Sequence, residues 1–290
     1  MSDTAVGEMA KRLLEVVDQH SKVLGKVQKA LKNLGDAKTL ESPRKVSEAC
    51  KRLEAFDPTA FGLDVDFGDL LLLTVEDQKH RIGRRKVEFG RTIKEIAALE
   101  GVDCRMMTTD PMEFFLPPFT VSVDLEKNLA FIHYARVAIE ELPAKPDKIM
   151  ASLRKNLRLL DAGWSGEDFF DALYHAYEIE LFENKGHRGD RVTLVNLLAF
   201  VALSFQNKQF RSDPVAGHYR AYGRVRMAYD LAGLRRKRLL ERKGRRLNLG
   251  TATGAATRNK KNVLYIEDGG GQGQYYLSVW FSPTPGEARQ

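Results

Sequence analysis

Four groups of residues in this chain have types and spacings that could do chemistry. Asp66 or Asp69, followed after an apolar run by Glu76-Asp77-Gln78-Lys79, gives an acid and then acid-x-lysine. Metal-dependent nucleases hold Mg²⁺ and position the attacking water with such a set. The separation is short, and solvated acids at a strand end look the same. Gly163-Trp164-Ser165-Gly166-Glu167 has the outline of a nucleophile elbow, but GxSxG needs glycine where Glu167 stands and a strand before it. Ser165 reads better as a helix cap. Gly250–Thr257 and Gly269–Gly273 are glycine-rich, yet neither contains Gly-Lys-Ser/Thr or sits as GxGxxG between strand and helix. Both read as loops, the second as a hairpin turn. His20, His80, His133, His175, His187 and His218 share no i, i+4 face and no metal-suited spacing with Cys50 or Cys104. His133 lies in an apolar strand and reads as a hydrogen-bonded core histidine. No catalytic residue, metal site or cofactor is assigned, and no enzymatic activity is expected.

The strongest signal is electrostatic. The chain holds 46 basic and 39 acidic residues, a formal charge of +7. The segment Arg235–Arg246 (RRKRLLERKGRR) contains eight basic residues and one acid, Glu241, so its own charge is also +7. The excess is concentrated there, which points to a polyanionic partner rather than to general solubility. Basic residues at a helix C-terminus stabilise it, but one or two suffice for that. Eight repel one another unless an anion is present. The expected nucleic-acid contacts are Arg224, Arg235, Arg236, Lys237, Arg238, Arg242, Lys243, Arg245, Arg246, Arg258, Lys260 and Lys261.

These cations need elements to hold them. Residues 5–34 carry a heptad seam, Leu13, Val16, His20, Val23, Val27, Ala30 and Leu34, broadened by Val17, Leu24 and Leu31. Gly35 stops that helix, and Ser42-Pro43 opens a second. Alternation over Phe61–Phe67 predicts a strand, and the apolar run Leu70–Val75 a central strand. A helix is expected over Arg84–Glu100 and a strand over Val102–Met107. A hairpin follows, with strands Phe119–Leu125 and Leu129–Val137, and then a helix from Asp147. Ser165 caps a further helix, and two more are expected over Val192–Phe205 and His218–Arg236. In the last of these Val225, Ala228, Leu231 and Leu234 face inward, while Arg220, Arg224 and Arg226 face outward. Short strands at Leu239-Leu240 and Leu247–Leu249 and a hairpin of Val263–Asp268 with Gln274–Phe281 complete the chain.

The run AYDLAGLRRKRLLERKGRRLNL, Ala228–Leu249, resembles the recognition-helix-to-wing passage of winged helix-turn-helix DNA-binding domains, over roughly residues 165–282. The connection Gln206–Tyr219 is longer than that family's usual turn, and Gly250–Thr257 separates the two hairpins. The resemblance implies that the last helix enters a DNA groove while the Val263–Phe281 hairpin lies along the backbone as a wing.

The expected class is therefore α+β: a helical hairpin at 1–56, a central α+β domain at 57–162 and a basic winged-helix-like domain at 163–290. Two widely spaced cysteines fit a reducing compartment. The apolar run Leu194–Phe205 spans about 18 Å as a helix, short of a bilayer. A cytoplasmic, non-enzymatic DNA-binding protein without membrane contact is expected. Its partner is duplex DNA, and residues 1–56 serve as a homodimer or protein contact. The alternatives are a subunit of a larger assembly that binds RNA or an acidic protein, and the metal-dependent nuclease at Asp66 or Asp69 with Asp77 and Lys79.

Overall fold

The computed structural model describes residues 3–163, 165–258 and 260–284, with side chains from residue 7 onward. It is mixed α+β with antiparallel sheets. The chain forms two compact units, Met1–Thr92 with Asp124–Leu129, and Ile93–Val123 with Ala130–Gln290. Among the described residues, no helix is long and apolar enough to cross a membrane.

The first unit is built on helices. α1 (Asp3–Gly35), α2 (Ala37–Leu40) and α3 (Pro43–Glu54) follow one another. Pro43 sits in the first turn of α3, where its missing N–H costs no hydrogen bond. Val27, Ala30 and Leu34 of α1 share a core with Val46, Ala49, Cys50 and Leu53 of α3. Earlier in α1, Met9, Leu13, Leu14, Val16 and Val17 stay exposed. The expected strands over Phe61–Phe67 and Leu70–Val75 are not formed. Thr59–Phe61 is one turn of 3-10 helix, and Leu70–Val75 lies inside α4 (Gly68–Leu99). A short apolar run has no period to separate helix from strand. Here Asp66 accepts the Gly68 N–H at 2.9 Å at the helix start, and the helical turn leaves Leu72 and Leu73 exposed.

In the second unit β1 (Arg105–Thr109), β2 (Met112–Leu116), β3 (Phe119–Asp124), β4 (Leu129–Tyr134) and β5 (Val137–Pro143) make a sheet in chain order. The alternation that predicts β3 is real: Phe119, Val121 and Val123 are buried and the residues between them half-buried. The expected return strand Leu129–Val137 is instead cut in two. Ala135 and Arg136 take φ of 50° and 62°, the left-handed pair of a two-residue hairpin turn. α5 (Pro146–Asp161) starts within one residue of expectation.

Next come α6 (Gly166–Glu183), β6 (Val192–Thr193), α7 (Leu197–Ser204), α8 (Lys208–Ser212) and α9 (Arg224–Arg236). The chain continues as β7 (Glu241–Arg242), β8 (Arg245–Thr251), α10 (Gly254–Thr257), β9 (Leu264–Glu267) and β10 (Gly273–Pro283). Ser165 caps α6, its Oγ accepting the Asp168 N–H at 3.2 Å; Trp164 lies outside the described residues. The sheet order is β6-β10-β8-β7, with β9 also on β10. Phe281 of β10 meets Phe170, Tyr174 and Tyr177 of α6 at ring distances of 5.6, 5.0 and 5.1 Å. Such aromatic clusters bury large areas and fix the angle of helix on sheet.

Candidate nucleic-acid interface

The basic segment begins at the end of a helix with no free side. Every residue of α9 from Met227 to Leu234 is buried. A helix buried all round belongs to a core, so α9 cannot lay a flank in a DNA groove. Its expected outer face is also absorbed by the fold. Arg226 Nε donates to both carboxylate oxygens of Asp230 at 3.0 and 3.1 Å. Arg224 donates to the carbonyls of Lys261 at 2.8 Å, Lys260 at 3.1 Å and Val263, so it clamps the loop leading into β9. What α9 does present is its C-terminal end.

Local backbone geometry sets the direction of that end. Lys237 N–H donates to Gly233 O at 3.0 Å, and Leu239 N–H to Leu234 O at 2.9 Å. Arg238 takes φ 55°, the left-handed position that closes a helix. Arg236, Lys237 and Arg238 are exposed there, and Arg235 is half-buried. Two of the four are braced on aromatic rings. The Arg235 guanidinium carbon lies 5.6 Å from the Tyr276 ring centre, and that of Arg236 5.3 Å from Tyr229. Such stacking orients an arginine without removing its charge. Arg238 makes no ion pair among the described residues.

The rest of the segment is partly neutralised by the protein itself. Lys243 (φ 49°) and Gly244 (φ 71°) form the two-residue turn between β7 and β8. Arg242 reaches Glu167 at 2.5 Å and Asp171 at 3.2 Å, and Lys243 reaches Asp171 at 2.8 Å. Burial pushes the Asp171 carboxyl up, but hydrogen bonds from Lys243 and Arg242 outweigh it and leave the group below the usual carboxylate range. Arg246 faces Glu241 at 3.6 Å, both well exposed. Arg245 lies 3.8 Å over the Tyr174 ring. The +7 segment thus divides into a cationic helix end and a hairpin tied to the acids of α6. Arg258, Lys260 and Lys261 are exposed on the approach to β9.

The hairpin expected to act as a wing is formed, with Tyr275 opposite Tyr265 and Tyr276 opposite Leu264. Its tip is not free. A Cβ at Gly271, which has φ 82°, would stand 2.8 Å from the Phe115 ring, and Arg105 donates to Gly270 O at 3.1 Å. The glycines therefore let the turn sit down on β1 and β2; the loop is a packing device. Arg136, at the β4–β5 turn, lies 4.4 Å over Tyr265 and 5.7 Å over Tyr275. Sequence reasoning missed this cation because it stands apart from any basic run. Nearby, burial pushes the Glu267 carboxyl up to about 7, against the pull of the Ala135 N–H at 3.0 Å and of Arg236 and Arg136.

The nuclease geometry needs a strand end, and the structure has a helix there. Asp77 and Lys79 stand two apart on α4, and such neighbours do not face each other. Asp77 binds Arg81 at 2.5 Å. Among the described residues no group of three His, Cys, Asp or Glu could hold a metal ion. His133 is half-buried beside Phe131, not enclosed in the core as expected.

No protein-family model, curated protein or solved structure matches this chain.

Proposed function

We propose that this chain binds nucleic acid without acting on it, holding the phosphate backbone of duplex DNA against the C-terminal end of α9 and the adjoining β7–β8 hairpin. The observation that carries the reading is that Arg235, Arg236, Lys237 and Arg238 stand together at the C-terminal end of α9, directly after its buried stretch Met227–Leu234. Cations on a rigid mount lose little freedom on binding, so their charge converts into affinity more fully than charge on a loose tail. Arg245 and Arg136, both stacked on tyrosines, extend the same chemistry. The order α6, α7, α9 and then hairpins supports a winged-helix-like region within the second unit. Its docking mode differs from that family's, because α9 offers its end and the β9–β10 tip is already occupied. Contact of this kind reads charge and backbone spacing more than base sequence.

Lysine acetylation with and without saturating duplex DNA tests the placement. Lys237 should be shielded by the duplex, and Lys185, just past the opposite end of α6 from the Glu167 and Asp171 contacts, should not. Equal modification of Lys237 in both samples would sink the proposal.

A second reading is favoured by one feature of α1. Leu13, Val16 and Val23 are exposed on the same heptad seam whose later members Val27, Ala30 and Leu34 are buried. A second copy laid along the exposed half would continue that seam. Sedimentation velocity at tens of micromolar should then show a dimer that Val16→Glu converts to monomer. A native chain that sediments as a monomer removes this reading.

A further inference from the structure

A cavity of about 670 Å³ opens among β5, α5, the start of α6 and the start of α9. Cavities of roughly 300–1,000 Å³ are the size that encloses a small organic molecule. Its walls are largely apolar: Ile139 from β5, Leu159 from α5, Phe169 from α6, and Phe205 just after α7. Leu159 is 61% exposed. The fold thus leaves apolar side chains open to solvent here instead of closing over them.

Four charged residues line the same space, Arg220, Arg224, Arg226 and Asp230. Three are already matched within the protein. Asp230 is held by Arg226 and by the Tyr222 hydroxyl, which donates to it at 2.9 Å. Arg226 also donates to Leu159 O at 3.0 Å, and Arg224 clamps the carbonyls before β9. Arg220 differs. Among the described residues its guanidinium makes one bond, to Ala162 O at 3.4 Å, beyond the usual range for such bonds.

The backbone of Arg220 is nevertheless fixed. Its N–H donates to Gln206 Oε1 at 2.8 Å, and its carbonyl accepts from Gln206 Nε2 at 2.9 Å. Gln206 is buried and tied also to Ala202 O at 2.7 Å. Phe205 stacks on Tyr222 at 5.4 Å beside it. The side chain is therefore a cation held at the edge of an apolar cavity, with its planar donor fork open to a carboxylate. A neutral ligand would leave that fork without a new partner, and a cationic one would be repelled.

From this we infer that the cavity binds a small carboxylate with an apolar chain, its head group on Arg220 and its body among Ile139, Leu159, Phe169 and Phe205. Calorimetric titration of the full chain with octanoate, 1-octanol and octyltrimethylammonium tests it. Octanoate should bind at least tenfold more tightly than 1-octanol, and octyltrimethylammonium most weakly. Arg220→Gln should bring octanoate down to the octanol level and leave octanol binding unchanged. Ile139→Trp should fill the cavity and abolish both. If that variant does not fold, Val137→Trp at the partly exposed start of β5 replaces it. Octanoate that binds no better than octanol, or equally well to the native chain and Arg220→Gln, overturns the inference.

Discussion

Replacing Arg235, Arg236 and Arg238 together with alanine should weaken duplex-DNA binding about a hundredfold, taking roughly 1 kcal/mol for each exposed charge-assisted contact. The same variant should flatten the log–log salt dependence by about 2.7, since each neutralised phosphate contributes about 0.9. The fold should survive. The three side chains are exposed or half-buried at the end of α9, and the core below them, Met227–Leu234, is untouched. The stacks on Tyr276 and Tyr229 are lost, worth about 0.5–1 kcal/mol each at such sites, and so is the pull of Arg236 on the Glu267 carboxyl. A parallel Arg242→Ala variant should have the smaller effect on binding, because Glu167 and Asp171 already neutralise that residue. Fluorescence anisotropy at several salt concentrations reads both quantities. If the triple variant binds with native affinity and slope, the end of α9 is not the contact.

The largest effect on stability should come from Arg226→Ala. Asp230 is 1% exposed, and Arg226 and Tyr222 are its partners. Removing the guanidinium leaves a buried carboxylate without a cation, a change that costs about 3–5 kcal/mol. The loss should depend on pH. Burial pushes the Asp230 carboxyl up to about 6, with Arg226 and Tyr222 pulling it back toward 3.8. The folded protein thus holds this proton more tightly than the unfolded chain does. For this group stability is greatest below 3.8, falls as pH rises to 6 and is level above that. Without Arg226 the folded value climbs further, and the decline continues past 6. Urea denaturation should therefore show a deficit that is large at pH 8 and shrinks at pH 5, where Asp230 takes up a proton. Equal deficits at the two pH values would mean that the side chain acts through packing alone.

Part of this arrangement is legible in the sequence and part is not, for identifiable physical reasons. Strict alternation in Phe119–Val123 marks β3, and Ser165 three residues before Asp168 marks the start of α6, because those signals are local. The apolar run Leu70–Val75 misleads, since helix and strand both tolerate it and nothing nearby breaks the tie. The β4–β5 turn has no glycine or proline to announce it; Ala135 and Arg136 take the left-handed conformation, with Ala135 N–H bound to Glu267 far along the chain. α9 reads as amphipathic because Arg226 and Asp230 are charged. They are partners, and as a pair they pass into the interior.

The candidate interface shows the same division. The cluster Arg235–Arg246 is visible as composition, and so is its setting between a helix and hairpins. Its charge in the folded state is not visible, because the acids that offset Arg242 and Lys243 come from α6. Local counting therefore overstates the charge of the hairpin. Arg136 joins the candidate surface only once β4, β5, β9 and β10 are assembled, and an isolated arginine carries no sequence signal.

The most direct measurement is a salt titration of the native chain against duplex DNA. With Arg235, Arg236, Lys237, Arg238 and Arg245 on phosphates, log affinity should fall linearly with log salt concentration at a slope of about −4.5. Binding whose affinity does not change with salt, or the absence of any binding at about 50 mM salt, would contradict the assignment of this face to a nucleic-acid backbone.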